Sequence, residues 1–132
     1  QNTIWSKKIF PLMYLPVTCT MRATDIWRGM IALNILQNDN QTALFFGTTM
    51  LQNRNIHNLS NDLIDEMPLY KNIRVAYKFL KNLKLKKGSE NYSQNLIKSY
   101  QMLIENNIFN KKEMYFLKSW IKDLKKLALI YK

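Results

Sequence analysis

The chain has 132 residues, with 20 Lys and Arg against 9 Asp and Glu, a formal charge of +11 and a pI near 9.8. Its 47% hydrophobic and 12% aromatic content is too rich for a disordered tail, and three Gly and three Pro exclude a collagen-like or linker chain. The single cysteine, Cys19, excludes an internal disulfide framework and a cysteine-based zinc site.

Residues 1–16 mix polar and apolar side chains, interrupted by Lys7, Lys8, Pro11 and Pro16. No targeting segment is expected there, and no run in the chain approaches the roughly 18 apolar residues of a membrane span. Gln rather than Met at position 1 fits a portion of a longer chain. Val17-Thr18-Cys19-Thr20 is short and largely β-branched, which predicts a strand. Thr24 or Asp25 then caps a helix running to Ile35-Leu36, with Ile26, Met30 and Leu33 on its inward face. Past the polar residues 37–41, the apolar run Ala43-Leu44-Phe45-Phe46-Gly47-Thr48 reads as a buried strand. Residues 53–58 form a polar loop, and Ser60 opens a short helix that Pro68 ends, because the residue before a proline disfavours helix.

From Tyr70 onward the pattern is helical and lysine-rich, with 15 Lys and Arg against four acids after Pro68. Ile73, Ala76, Tyr77, Leu80 and Leu83 step at three and four until Gly88-Ser89 stops the helix. Tyr92, Leu96, Tyr100, Leu103 and Ile104 mark the next. Asn110-Lys111-Lys112-Glu113 resembles a capping box opening a last helix, with Leu117, Trp120, Ile121, Leu124 and Leu127 or Ala128 inward. The expected fold class is therefore α/β and predominantly helical: two or three short strands, then a helical C-terminal half. Residues 1–132 form one unit, with 1–69 as the strand/helix/strand site region and 70–132 as the helical subregion.

Chemistry concentrates in residues 21–29. Asp25 sits at a helix start beyond the predicted strand, flanked by Arg22 and Arg28. Arginines and a helix N-terminus both favour a carboxylate. Such a group can accept a proton from an incoming hydroxyl while an arginine offsets charge on a departing phosphate. The plainer reading is an ordinary cap ion-paired to Arg22 or Arg28. His57 is the only histidine, so it can be at most one ligand of a metal completed by carboxylates elsewhere. No Walker sequence, Gly-rich phosphate loop, G-x-S-x-G elbow or Asp-x-Asp is present. Lysines 78, 81, 84, 86 and 87 offer a basic face to phosphates. Tyr77 and Phe79 between them have core spacing rather than that of a stacking platform, which argues against nucleic acid as the partner.

Residues 20–29, Thr-Met-Arg-Ala-Thr-Asp-Ile-Trp-Arg-Gly, resemble the FRVTDIWRGY signature of the STELLO-type glycosyltransferases, with Met21 and Ala23 in place of its Phe and Val. Residues 52–59 resemble that family's QxRNxHNL segment, residues 62–70 its DFEDEVPGY, and Lys78-Phe79-Leu80 and residues 120–124 its KFL and WLQDL. The resemblance spans most of residues 17–131. It implies a metal-assisted, nucleotide-sugar-dependent transferase of the GT-A type, of which this chain is the C-terminal, acceptor-side half. The nucleotide-binding half, with its Asp-x-Asp, would then be a separate part of the same protein.

On that resemblance Asp25 is the catalytic base if the transfer inverts; inversion and retention both stay open. Arg22, Thr24, Trp27, Arg28 and Arg54 bind substrate, and His57 is a ligand to Mn²⁺ or Mg²⁺. The implied partners are a nucleotide-sugar donor and a glycan or other hydroxyl acceptor. The Golgi lumen is the implied compartment if the parent protein is anchored like the plant members, the cytoplasm otherwise. The alternative function is a non-catalytic basic helical module binding nucleic acid or an anionic surface.

Overall fold

The computed structural model describes residues 3–44, 47, 48, 50–53, 56 and 58–127. A 3-10 segment, Lys7–Met13, precedes four α-helices: α1, Thr24–Asn38; α2, Leu59–Lys81; α3, Tyr92–Glu105; and α4, Glu113–Lys126. A 3-10 turn, Ser89–Asn91, leads into α3. Helix makes up 64% of the structure and no strand occurs among the described residues. The expected α/β class, with its partial GT-A-like architecture, is thus overturned. This is an all-helical unit.

The predicted first strand fails for a specific reason. Residues 17–19 form a bend, and their N–H groups have no neighbouring ladder to join. The N–H groups of Val17 and Thr18 donate instead to the carboxylate of Glu113, at 3.1 and 2.8 Å. Of the second predicted strand, Phe45 and Phe46 lie outside the described residues. The flanking Ala43, Leu44, Gly47 and Thr48 are not in strand conformation, and Leu44 is exposed.

Pro68 does not end its helix either. It lies inside α2, which is capped at its start by Asn58, not Ser60; the Asn58 side chain accepts from the N–H groups of Ser60 and Asn61. A proline inside a helix costs about 3 kcal/mol through its missing N–H and its clash with the preceding turn. Burial of Leu69, Ala76 and Leu80 farther along the same helix offsets that cost. The pattern 73–83 therefore continues an existing helix, which stops at Lys81 with Asn82 as its cap, before Leu83.

α3 is the hub. It packs against α1, α2, α4 and the 3-10 segment. Its inward face, Tyr92, Leu96, Tyr100 and Leu103, is buried as its spacing predicts. An aromatic chain crosses the centre: Tyr14 lies edge-on to Tyr100 with centroids 5.4 Å apart, Tyr100 is 5.3 Å from Phe109, and Phe109 is 5.1 Å from Trp27. Such contacts add about 0.5–1.5 kcal/mol each beyond burial. On α4, Leu117, Ile121 and Leu124 point inward as expected, whereas Leu127 is exposed and Ala128 lies outside the described residues.

α1 departs most from its predicted face. Its buried residues are Trp27, Ile31, Ala32, Ile35 and Leu36. Of the residues expected to point inward, Met30 packs against the core as well as lining the junction with α2, whereas Ile26 and Leu33 form a second apolar stripe at that junction. A helix apolar on two sides has more greasy surface than this core uses. No described helix is long and apolar enough to cross a membrane.

Candidate functional site

The turn leading into α1 is tied down on several sides. The N–H of Ala23 donates to the carbonyl of Thr20 at 2.9 Å, and the Thr20 hydroxyl donates to the Asp65 carbonyl on α2 at 2.7 Å. The half-buried Thr24 turns its hydroxyl back to the Met21 carbonyl at 3.0 Å. Neither Thr24 nor Asp25 is the helix cap; Ala23 holds that position and offers no side-chain acceptor.

Arg22 does not pair with Asp25. Its guanidinium spans two acids of α2, with Nη1 2.9 Å from Asp62 Oδ1 and Nε 3.1 Å from Glu66 Oε1. Glu66 also accepts from the Tyr70 hydroxyl. That hydroxyl, followed by Arg22, holds the Glu66 carboxyl below its ordinary range. Arg28 turns away as well. Its Cζ lies 5.6 Å from the centre of the Trp5 ring, within cation–π range, and its buried Nε has no hydrogen-bond partner.

Asp25 is consequently left exposed, with no ion pair among the described residues. Its Oδ1 accepts from the N–H of Ile26 at 2.9 Å, within the first turn of α1. It stands on the wall of an open groove of about 590 Å³ between α1 and α2. From α1, Ile26, Gly29, Met30 and Leu33 complete that wall. From α2, Ile73, Arg74 and Tyr77 form the other. The lining is mostly apolar, with one carboxylate, one guanidinium and one phenol as polar groups. The Arg74 guanidinium makes no ion pair among the described residues.

Of the other residues singled out from sequence, Trp27 is 3% exposed and packs edge-on against Phe109. It anchors α1 in the core. Arg54 and His57 lie outside the described residues. Among the described residues no group of three or more His, Cys, Asp or Glu is placed to hold a metal ion.

Sequence reasoning missed both Arg74 and the true placement of Tyr77. Nothing in a lysine-rich helix distinguishes one arginine, and Tyr77 falls on the core spacing yet is exposed in the groove. The spacing from Asn110 predicts Glu113 as half of a capping box. It is fully buried, and its carboxylate accepts from the Tyr14 hydroxyl and the Thr18 hydroxyl as well as the two backbone N–H groups. Burial, and then the charge of Glu113, raises the thiol of Cys19 to about 11.

Residues 22–132 match the family of the STELLO glycosyltransferases. The chain belongs to that family. The match begins at Arg22 and takes in Asp25, both walls of the groove and all four helices. No curated protein and no solved structure was found to match the chain. Membership of the STELLO family supports a glycosyltransferase function, and hence a sugar donor and an acceptor.

Proposed function

We propose that this chain is the acceptor side of a nucleotide-sugar-dependent glycosyltransferase, with the α1/α2 groove as the acceptor site. Asp25 takes the proton of the attacking hydroxyl as its oxygen bonds to the anomeric carbon, while the bond from that carbon to the donor phosphate breaks. The observation behind this reading is that the two arginines flanking Asp25 are committed elsewhere. Its carboxylate is left free and accessible beside the groove. Arg22 is then a positioning residue, fixing the start of α1 against α2 through Asp62 and Glu66. Trp27 and Thr24 act through the same helix, as core anchor and as lock on the preceding turn.

In this proposal the donor nucleotide is held by a further segment of the same protein. Arg54 and Arg28 contribute to substrate binding, and His57 to a Mn²⁺ or Mg²⁺ site. The proton transfer at Asp25 does not run through such a metal site.

Gly29 allows a direct test. A Cβ built there meets nothing within 4 Å, so a larger side chain can enter the groove without disturbing the core. In the complete enzyme, Gly29→Leu raises the acceptor KM at least tenfold and leaves the donor KM unchanged. An unchanged acceptor KM in the folded variant places the acceptor elsewhere.

A further inference from the structure

A second surface lies on α4, away from the groove. Lys118, Lys122 and Lys125 step at four and three along an exposed side of that helix, flanking the buried stripe of Leu117, Ile121 and Leu124. With Lys126 they rim a shallow depression of about 440 Å³ whose floor is Ile97 of α3 and Ile121. Acids scarcely counter them. Glu113 is buried, and Asp123 lies 3.7 Å from Lys126, whereas Lys118, Lys122 and Lys125 make no ion pair among the described residues. On the first turn of the same helix, Tyr115 and Phe116 are 72% and 41% exposed, with ring centroids 5.5 Å apart.

We infer that the outer side of α4 docks the protein on an anionic lipid bilayer. Lysines concentrated on one side of a helix lie within reach of headgroup phosphates, their stems covering apolar surface while their ammonium groups meet the charge. The exposed Tyr115 ring, three residues before Lys118 and seven before Lys122 and so on their side of the helix, enters the boundary between headgroups and acyl chains. A nucleic acid also attracts lysines, but the apolar floor of Ile97 and Ile121 between them matches an acyl boundary rather than a row of phosphates. α4 packs on α3 whereas the groove lies between α1 and α2, so a bilayer against α4 leaves the groove free. This inference is independent of the glycosyl-transfer reading.

The test is co-sedimentation with vesicles of phosphatidylcholine, with and without phosphatidylserine, across a salt series. Binding is expected only with phosphatidylserine, and it weakens as salt rises. K118E/K122E/K125E lowers the partition coefficient by on the order of a hundredfold or more, and the neutral K118Q/K122Q/K125Q lowers it less. Tyr115→Ser lowers it several-fold at unchanged charge. K71E/K78E/K81E, reversing three exposed lysines of α2, leaves most binding intact. Equal losses from the α2 and α4 triples would show that net charge alone acts and overturn the inference. So would equal binding without phosphatidylserine, absence of binding, or displacement from vesicles by a DNA duplex at lower concentration than phosphatidylserine requires.

Discussion

Glu113 holds Thr18 by two hydrogen bonds across 95 residues of sequence, accepting from its N–H at 2.8 Å and its hydroxyl at 2.5 Å. The same buried carboxylate accepts from Val17 N–H and from the Tyr14 hydroxyl, so one side chain at the start of α4 pins the segment leading to the site. Burial, then the hydrogen bond to Glu113, keeps the Tyr14 hydroxyl protonated far above its ordinary range.

Glu113→Ala strips four donors of their acceptor in a buried place. Each unsatisfied buried group costs about 1–3 kcal/mol, so a loss of about 3 kcal/mol or more is expected, a large share of a small domain's stability. Glu113→Gln keeps one acceptor oxygen and loses less. Urea unfolding of the two variants checks the order; an Ala variant as stable as the parent contradicts this role for Glu113.

Gly29 and Gly88 respond to alanine with opposite signs. Gly29 lies inside α1 with open space at its Cβ position, so Gly29→Ala stabilises by about 0.5–1 kcal/mol through helix propensity. Gly88 has φ of +96°, a backbone conformation that residues with a Cβ rarely adopt. Gly88→Ala costs about 1 kcal/mol or more. Thermal melts of the pair, read side by side, check both signs.

Asp39 and Tyr92 give stability a dependence on pH at both ends. Asp39 accepts from the Gly88 N–H at 2.7 Å and the Tyr92 hydroxyl at 2.8 Å, joining the end of α1 to the start of α3. These bonds, the backbone one first, lower its carboxyl below the ordinary value. The unfolded chain then takes up the proton first, so this contribution is full above about pH 4 and is lost as pH falls through the lowered folded value. The Tyr92 hydroxyl is raised to about 12, by burial first and then by its bond to Asp39. Its contribution is full below about pH 10 and is lost as pH climbs toward about 12. Asp39→Asn lowers stability at neutral pH and flattens the acid limb, as measured by urea midpoints from pH 2.5 to 11 on the order of one unit apart.

The helical half was legible because its information is local. The three-and-four spacing of Tyr92, Leu96, Tyr100 and Leu103 coincides with the buried side of α3. The first half was not, because its outcome depends on distant partners. A β-branched pair such as Val17-Thr18 reads as a strand until Glu113 is placed beside it. Pro68 reads as a stop until the burial of Leu69, Ala76 and Leu80 is counted against it. Asp25 was found from its position at a helix start, yet the arginines expected to flank it are drawn off to Asp62, Glu66 and Trp5. Two apolar stripes on α1 were visible as residues, but only packing decides which is core and which lines the groove.

Replacing Asp25 by Asn in the complete enzyme, and measuring transfer together with donor affinity, tests the account most directly. The side chain is exposed and makes no ion pair among the described residues. Its hydrogen bond, from the Ile26 N–H, is one that an Asn oxygen also accepts, so the thermal midpoint shifts little. Loss of a general base lowers the rate by about 10²–10⁴-fold, while the donor binds as before. A folded Asn variant that transfers sugar at the parental rate contradicts the account.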